Sequence, residues 1–172
     1  MDHEVIPYLQ ARFNLAGLIK SRILHTVGVG ESQIDEVIAD LETLSNPTVG
    51  LAAHSGQVDV RITVKAETKQ EADKLLLPVE MELRKRLGDW IYGADADTLE
   101  GAALKALYER GWSLAVIEYG MGGYLIHRIS RPAASMPPEL QHTFKGGKLQ
   151  TELTSPEQLR DVTYDFYTSN SV

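Results

Sequence analysis

The residues of this chain that could most readily do chemistry stand at a glycine turn after an apolar run. WSLAVI leads into Glu118 and Tyr119, which are the candidate catalytic residues. A carboxylate and a phenol can act as acid, base or nucleophile. The candidate ligand-binding residues follow as Gly120, Met121, Gly122 and Gly123. Their backbone amides could hold a phosphate or a carboxylate, because the pattern predicts that a helix begins here.

An alternative interpretation makes the same turn purely structural. A tight connection between a strand and a helix needs small residues for packing. The short glycine motif has little specificity, and Tyr119 stands beside no evident base. We therefore favour the structural interpretation and keep anion binding as the alternative.

Two other motifs are similar to nucleotide or nucleic-acid sites. VGVGES lacks both the full dinucleotide fingerprint and the Lys and Ser or Thr of a P-loop, so a turn and a helix cap explain it. GMGG fits the GxxG with which KH domains clamp a nucleic-acid backbone. However, the chain has a net charge of −7 and no basic patch, and electrostatic attraction normally supplies most of such affinity. We do not expect nucleic-acid binding.

The sequence predicts neither a metal site nor a bound cofactor. The five histidines show no ligand spacing with carboxylates on a common face, and the chain has no cysteine. Asp95, Asp97 and Glu100 lie close together in sequence, but acidic residues are favoured at the start of a helix by its dipole. We expect His127 on a helix surface or at an interface.

Residues 19–94 show the alternating patterns of a two-layer module. Residues 58–66 alternate apolar and polar side chains, which is typical of a strand with one wet face. Two segments have apolar stripes at helical spacing; Ser32 is the expected N-cap of the first, and Pro78 predicts a kink or a break in the second. The order predicts an α+β fold, with a βαββαβ module whose helices lie on one face of a mainly antiparallel sheet.

Residues 95–172 predict a partial α/β unit. Asp97 is the expected N-cap of its first helix. SLAVI has no polar alternation, so we expect a strand that is covered on both faces. Residues 131–172 have ambiguous periodicity and are too few to complete a doubly wound domain. Residues 1–18 are predicted to form an N-terminal helix and a linker.

Composition indicates an ordered globular protein, with 43% hydrophobic and 24% charged residues. No segment has the pattern of a signal peptide or reaches about 18 apolar residues, so we expect no membrane span and a cytoplasmic location. An incomplete α/β layer would leave apolar surface uncovered. We therefore expect a homodimer.

Six stretches together resemble the CinA family of competence- and damage-inducible proteins. They are MDHEVIPYLQARF, SRILHTVGVGES, NPTV, VRITVKAET, RLGDWIYG and LAVIEYGMGGYLIHRIS, and they occur in the family's order. The resemblance implies a nucleotide-processing domain, then a KH-like module, then a nicotinamide-nucleotide amidase domain. The chain starts where the first domain is ending, so we expect 19–94 to be the KH-like module and 95–172 a truncated amidase-like unit.

The resemblance also places a departure at the glycine turn. The family typically has A-E-S-C-T-G-G where its amidase site opens, and the serine is held to be the nucleophile. This chain has I-E-Y-G-M-G-G, so Glu118 matches and Tyr119 stands at the serine position. A phenol without a base is a poor substitute for an activated hydroxyl.

We therefore expect a CinA-like protein that is non-catalytic and acts as an assembly or protein-interaction module. One alternative is a nicotinamide-nucleotide amidase-like hydrolase that uses Glu118 and Tyr119. Another is a sensor that binds a pyridine nucleotide at residues 120–123 without hydrolysing it.

Overall fold

The structure of this protein is a computed structural model that describes residues 8, 12, 17–150 and 155–169. It confirms the α+β class, with an antiparallel sheet and a separate parallel sheet of two strands. The chain divides into two units, Met1–Ala96 and Asp97–Val172. The predicted N-terminal helix falls mainly outside the described residues, and the assignment of functions to the predicted domains stays a prediction.

The first unit follows the predicted βαββαβ order. Its elements are β1 (Leu18–Val27), α1 (Glu31–Glu42), β2 (Thr48–His54), β3 (Gln57–Ala66), α2 (Lys69–Leu87), a 3-10 turn (Gly88–Trp90) and β4 (Ile91–Ala94). The strands form one antiparallel sheet in the order β2-β3-β1-β4. The structure therefore confirms both the element order and the antiparallel sheet.

The two long strands β1 and β3 form the centre of this sheet. They pair along their whole length, from Leu18 opposite Ala66 to Val27 opposite Gln57. Alternate residues of β3 are buried, because successive side chains of a strand point to opposite faces. The core contains Leu24, Ile34, Ile38, Val58, Val60, Ile62, Val64, Ala72, Leu76, Leu83 and Leu87. The apolar stripes of α1 and α2 thus cover one face, as predicted.

Helix α2 continues through its proline. It runs from Lys69 to Leu87 with Pro78 inside, so of the predicted kink or break the structure excludes the break. Proline removes one backbone hydrogen bond. Leu76 and Leu83, on either side of Pro78, are both buried in the core, and tertiary packing of an apolar face is the main source of helix stability in proteins.

In its described residues the second unit has two strands, whereas the first unit has four. Its elements are α3 (Leu99–Glu109), β5 (Leu114–Tyr119), α4 (Tyr124–Ser135), α5 (Pro138–Gln141), β6 (Phe144–Gln150) and α6 (Pro156–Ser169). Strands β5 and β6 are parallel, with Leu114 opposite Phe144 and Tyr119 opposite Gln150. Leu104, Val116, Ile129 and Ala133 form its core. The described residues of segment 131–172, whose periodicity was ambiguous, therefore include strand β6 and further helical residues.

Strand β5 is covered on one face rather than on both. Val116 and Glu118 are buried, whereas Ala115 and Tyr119 are exposed. The core residues of α3 and α4 are in contact with the Val116 face. The expectation of a strand covered on both faces is wrong. A run of apolar residues predicts a strand, but it does not show whether other elements pack on one face of that strand or on both.

Both predicted N-caps are also wrong. Helix α1 begins at Glu31, and the Gly30 N–H donates to Gln33 Oε1 at 3.2 Å, so Ser32 already lies in the first turn. Helix α3 is capped by Thr98 Oγ1, which accepts from the Gly101 N–H at 3.1 Å. Asp97 precedes that cap. Ser, Thr and Asp have similar N-cap preferences, so the sequence alone did not select between neighbours.

No helix in the described part of the chain is both long enough and apolar enough to cross a membrane.

Arg86 of α2 connects the two helices of the first unit. Its two terminal nitrogens donate to the Asp40 carboxylate of α1 at 2.5 and 3.0 Å, and its Nε donates to Glu82 Oε1 at 2.8 Å. These hydrogen bonds from Arg86 lower the pKa of Asp40 below its ordinary 3.8 and that of Glu82 below 4.5. The two carboxylates therefore favour the folded state while they are ionised.

Truncation of Leu83 should destabilise the first unit. Leu83 is fully buried and Leu77, on the same helix, is 56% exposed. We expect Leu83→Ala to cost about 2–5 kcal/mol and the control Leu77→Ala to stay within about 0.5 kcal/mol of wild type. Urea unfolding followed by Trp90 fluorescence in a Trp112→Phe background measures both. Equal effects of the two substitutions would contradict the assigned core.

Substitution of Arg86 should have an effect that depends on pH. Because the folded-state pKa values of Asp40 and Glu82 are lowered, their contribution is complete above the ordinary values and is lost as pH falls through the folded values. We expect Arg86→Gln to lower the urea midpoint at pH 7, and the deficit to shrink below about pH 4.5. The control is Arg61→Gln, an exposed site on β3. A deficit that stays constant down to acid pH would contradict the network.

Candidate functional site

Four residues, Gly120 to Gly123, connect β5 to α4. Gly120, Gly122 and Gly123 have φ values of 76, 64 and 86°, in the left-handed region that favours glycine. A Cβ atom added at any of these three would meet nothing within 4 Å. The turn therefore needs glycine for its backbone conformation and not, as the structural interpretation supposed, for close packing.

Glu118 points into the second unit and supports the start of α4. The residue is only 3% exposed, and its Oε2 accepts the Ile126 N–H at 3.0 Å. Ile126 is the third residue of the helix, and such an amide has no partner within its own helix. The N-cap residue, Gly123, has no side chain with which to accept it. Glu118 thus caps the helix from the neighbouring strand.

The second oxygen of Glu118 has no such partner. Oε1 is buried and accepts no hydrogen bond from the residues that the structure describes. Burial of a polar atom without a hydrogen bond costs free energy. A donor from a ligand would therefore be favoured at this atom, although it lies beneath the surface.

Tyr119 lies on the other face of the strand. It is 44% exposed, and its hydroxyl has no hydrogen-bond partner within the described residues. Successive side chains of a strand point to opposite faces. The structure therefore separates the two candidate catalytic residues, since Glu118 faces the helices and Tyr119 faces outward.

Exposed apolar side chains gather at this end of the second unit. Two of them stand at the ends of strands, and three belong to the turn and the first turn of α4. They are Tyr119, Leu149, Met121, Tyr124 and Leu125, which we call the turn surface. The Arg128 guanidinium lies 5.6 Å from the centre of the Tyr124 ring and pairs with Glu100. His127 is exposed on α4, as expected.

The acidic residues suspected of metal binding have other partners. Asp95 accepts the Ile23 N–H at 3.0 Å and pairs with Arg22, while Glu100 pairs with Arg128. Within the described ranges, no group of three or more histidine, aspartate or glutamate side chains is arranged to hold a metal ion. VGVGES spans the end of β1, a turn and the start of α1, as its structural interpretation predicts.

The sequence did not reveal a histidine cluster on the outer face of the first unit's sheet. His25 Nδ1 lies 2.6 Å from Asp59 Oδ1, and His54 Nε2 lies 3.2 Å from Asp59 Oδ2. His25 Nε2 lies 3.0 Å from the Asp95 carbonyl oxygen. Both ring nitrogens of His25 thus face oxygen acceptors, and donation at both requires the imidazolium form.

The strand register brings this cluster together. His25 and Asp59 are directly opposite on β1 and β3, although 34 positions separate them in sequence. The His25 ring also stacks on Tyr92 of β4, with the ring centres 5.7 Å apart. Strand alternation could have placed His25 and Asp59 on the outer face, but only the register shows that they meet.

Known proteins are similar to this chain over parts of both units. A family model described as the damage-inducible protein CinA KH domain matches residues 21–93. A CinA-like protein of Dictyoglomus turgidum is 36% identical over 163 residues, which cover 90% of this chain and 38% of that relative. A CinA-like protein of Synechococcus sp. is 42% identical over 118 residues, or 69% of this chain and 28% of that relative. A competence-damage inducible protein of Moorella thermoacetica is 38% identical over 128 residues, which cover 74% of this chain and 31% of that relative.

These similarities are not confined to the KH module. The match to the Dictyoglomus turgidum protein, at 163 residues, is longer than either unit and so includes parts of both. The chain spans 28 to 38% of the length of these three relatives. With the family's KH module in its first unit and relatives at 36 to 42% identity, the chain belongs to the CinA family.

Proposed function

We propose that this chain is a non-catalytic member of the CinA family that acts as an assembly or protein-interaction module. The observation that supports this most directly is the separation of Glu118 and Tyr119 on opposite faces of β5. Tyr119 stands where the family resemblance puts the amidase nucleophile. The carboxylate next to it in sequence, that of Glu118, faces the helices and accepts the Ile126 N–H.

Amide hydrolysis through a covalent intermediate needs an activated nucleophile. The base must lie within hydrogen-bonding reach of the nucleophile, at about 2.6–3.2 Å. Tyr119 is exposed and makes no such bond within the described residues. Among the residues that the structure describes, none is therefore placed to activate the Tyr119 hydroxyl.

The turn surface suits protein contacts better than nucleotide chemistry. Its five exposed residues are two tyrosines, two leucines and a methionine. Tyrosine and methionine are enriched at protein interfaces, and exposed apolar patches often mark sites of interaction. The acidic net charge of −7 opposes binding to polyanions. We propose a cytoplasmic protein that assembles, first of all, with a second copy of itself.

One observation favours a second candidate function. The unpartnered Glu118 Oε1 and the open backbone of the glycine turn would suit a ligand that combines an N–H donor with an anionic group. This second candidate is a pyridine-nucleotide sensor without hydrolytic activity. A nucleotide at about 100 times its dissociation constant would stabilise the protein by about 2.7 kcal/mol. No rise in Tm with millimolar nicotinamide mononucleotide would exclude it.

The purified chain should release no ammonia from nicotinamide mononucleotide. We expect the wild type, Tyr119→Phe and Tyr119→Ser all to match the blank, because no base among the described residues lies within hydrogen-bonding reach of the side chain at position 119. Circular dichroism checks that each protein is folded. Turnover by the wild type that disappears in Tyr119→Phe would overturn the non-catalytic proposal.

Glu118 should affect the stability of α4 rather than turnover. Glu118→Ala removes the acceptor of the part-buried Ile126 N–H, and we expect a cost of about 1–3 kcal/mol. Glu118→Gln keeps an acceptor there and should cost less. Glu109→Ala, an exposed site on α3, should stay within about 0.5 kcal/mol of wild type. Hydrogen exchange at the first amides of α4 measures the effect, and unchanged protection in Glu118→Ala would contradict the capping role.

A further inference from the structure

The outer side of α2, in the first unit, carries exposed apolar side chains that the core does not use. Leu77 and Met81 are 56% and 62% exposed, and they lie one turn apart on the same side of the helix. Pro78, next to Leu77, is also exposed. Single exposed apolar residues are ordinary, whereas a contiguous group often marks a site of interaction. Methionine suits such a site, because its flexible side chain adapts to its partner.

Leu77 and Met81 belong to a longer row of exposed positions along α2. The row, which we call the α2 seam, consists of Gln70, Lys74, Leu77, Met81 and Arg84, and all five are exposed. Successive members are alternately four and three residues apart, which is the repeat with which one helix packs along another in a coiled coil. The buried residues of α2 face the core of the first unit instead. The seam therefore has the geometry to receive a second helix.

Both ends of the α2 seam are basic. Lys74 precedes the two apolar residues, and it forms no ion pair among the residues that the structure describes. Arg84 and Lys85 follow them. Arg84 pairs with Glu80 but stays 45% exposed, and Lys85 is 80% exposed with a single contact to Glu82 at 4.0 Å. The apolar pair thus lies between two positively charged groups.

The acidic residues of α2 are held by other contacts. Glu71 accepts the Glu67 N–H at 2.9 Å, near the start of the helix. The remaining acidic residues form the ion pairs Asp73–Lys20, Glu80–Arg22 and Glu82–Arg86. The charge that remains available beside the apolar pair is therefore positive, although the whole chain has a net charge of −7. Such a surface favours a partner that is locally acidic.

We infer that the α2 seam binds an acidic amphipathic helix of a partner protein. This inference goes beyond the proposed function, because it assigns a site in the first unit that shares no residue with the turn surface. The apolar stripe of the partner helix covers Leu77 and Met81. Its carboxylates meet Lys74 at one end and Lys85 at the other, about 16 Å apart, since eleven residues each rise about 1.5 Å. Recognition of this kind uses anchors on one face of a helix.

Two other occupants suit the α2 seam less well. In a two-fold pairing of α2 with a second copy, Lys74 of one chain would face Arg84 or Lys85 of the other, and like charges repel. A nucleic acid would bring negative charge, but the five seam residues include no aromatic side chain on which a base could stack. The apolar pair would then stay uncovered.

Fluorescence anisotropy of a labelled peptide measures binding to the whole chain. The probe is a designed helix of about 18 residues, roughly 27 Å long, with leucine in a seam of matching repeat and glutamate on both flanks. The comparison probe has lysine in place of every glutamate. We expect the glutamate probe to bind with a micromolar Kd at low salt and the lysine probe to bind at least about tenfold more weakly. Added salt should weaken the glutamate probe.

Variants of the chain locate the binding site. Lys74→Glu and Leu77→Ser should each weaken the glutamate probe about tenfold, the first by repulsion and the second by loss of apolar contact. Both positions are exposed, and circular dichroism checks that the variants are folded. The matched controls are Lys105→Glu on α3 and Ile19→Ser on β1, which are exposed positions outside the seam. Both controls should leave the Kd unchanged.

Failure of this inference is separable from failure of the proposed function. Absence of binding by the glutamate probe, equal binding of the two probes, or unchanged binding in both seam variants would overturn the seam. A wild-type dimer that Leu77→Ser dissociates, measured by light scattering, would assign the seam to a second copy and overturn the acidic partner. Displacement of the probe by a single-stranded RNA oligonucleotide would overturn it in favour of nucleic acid. Ammonia release tests the non-catalytic proposal independently of all these results.

Discussion

The alternation of side chains between the two faces of a strand governs what the second unit can do. Glu118 and Tyr119 are neighbours in sequence, yet β5 sends one to the helices and the other to the surface. A catalytic pair needs both groups at one point in space. The same alternation gives Glu118 its role as the cap of α4 and leaves Tyr119 on the exposed face beside Ala115. The separation of Glu118 from Tyr119 and the exposure of Tyr119 thus both follow from the alternation of side chains along β5.

The cap also bears on the binding of anions at this turn. A helix N-terminus attracts anions because its first amides lack partners and its dipole is positive there. In this protein a carboxylate of the chain already occupies that position, with Glu118 Oε2 3.0 Å from the Ile126 nitrogen. A phosphate at the same amides would lie close to this carboxylate and would meet like-charge repulsion. The helix terminus is therefore less suited to an anion than its glycine-rich sequence indicates.

The sequence predicted the first unit well because its patterns are strong and local. Residues 58–66 alternate cleanly, and the two-residue turn at Ser55 and Gly56 sets the register of the hairpin from β2 to β3. The His25 and Asp59 contact depends instead on pairing between distant strands, for which one sequence offers no rule. Strand β6 could not be recognised because FKGGKLQ contains two glycines and two lysines without alternation. The candidate turn was found as a strand, a turn and a helix, but the direction of each side chain needed the structure.

Glycine weakens the strand pattern of β6, but at position 147 the packing of the second unit requires it. A Cβ at Gly147 would lie 2.5 Å from Ile126 Cγ1, so a glycine there lets α4 lie close against β6. Ile126 is also the residue whose amide Glu118 accepts. The cap, the close approach at Gly147 and the parallel pairing of β5 with β6 therefore fix the same turn of α4.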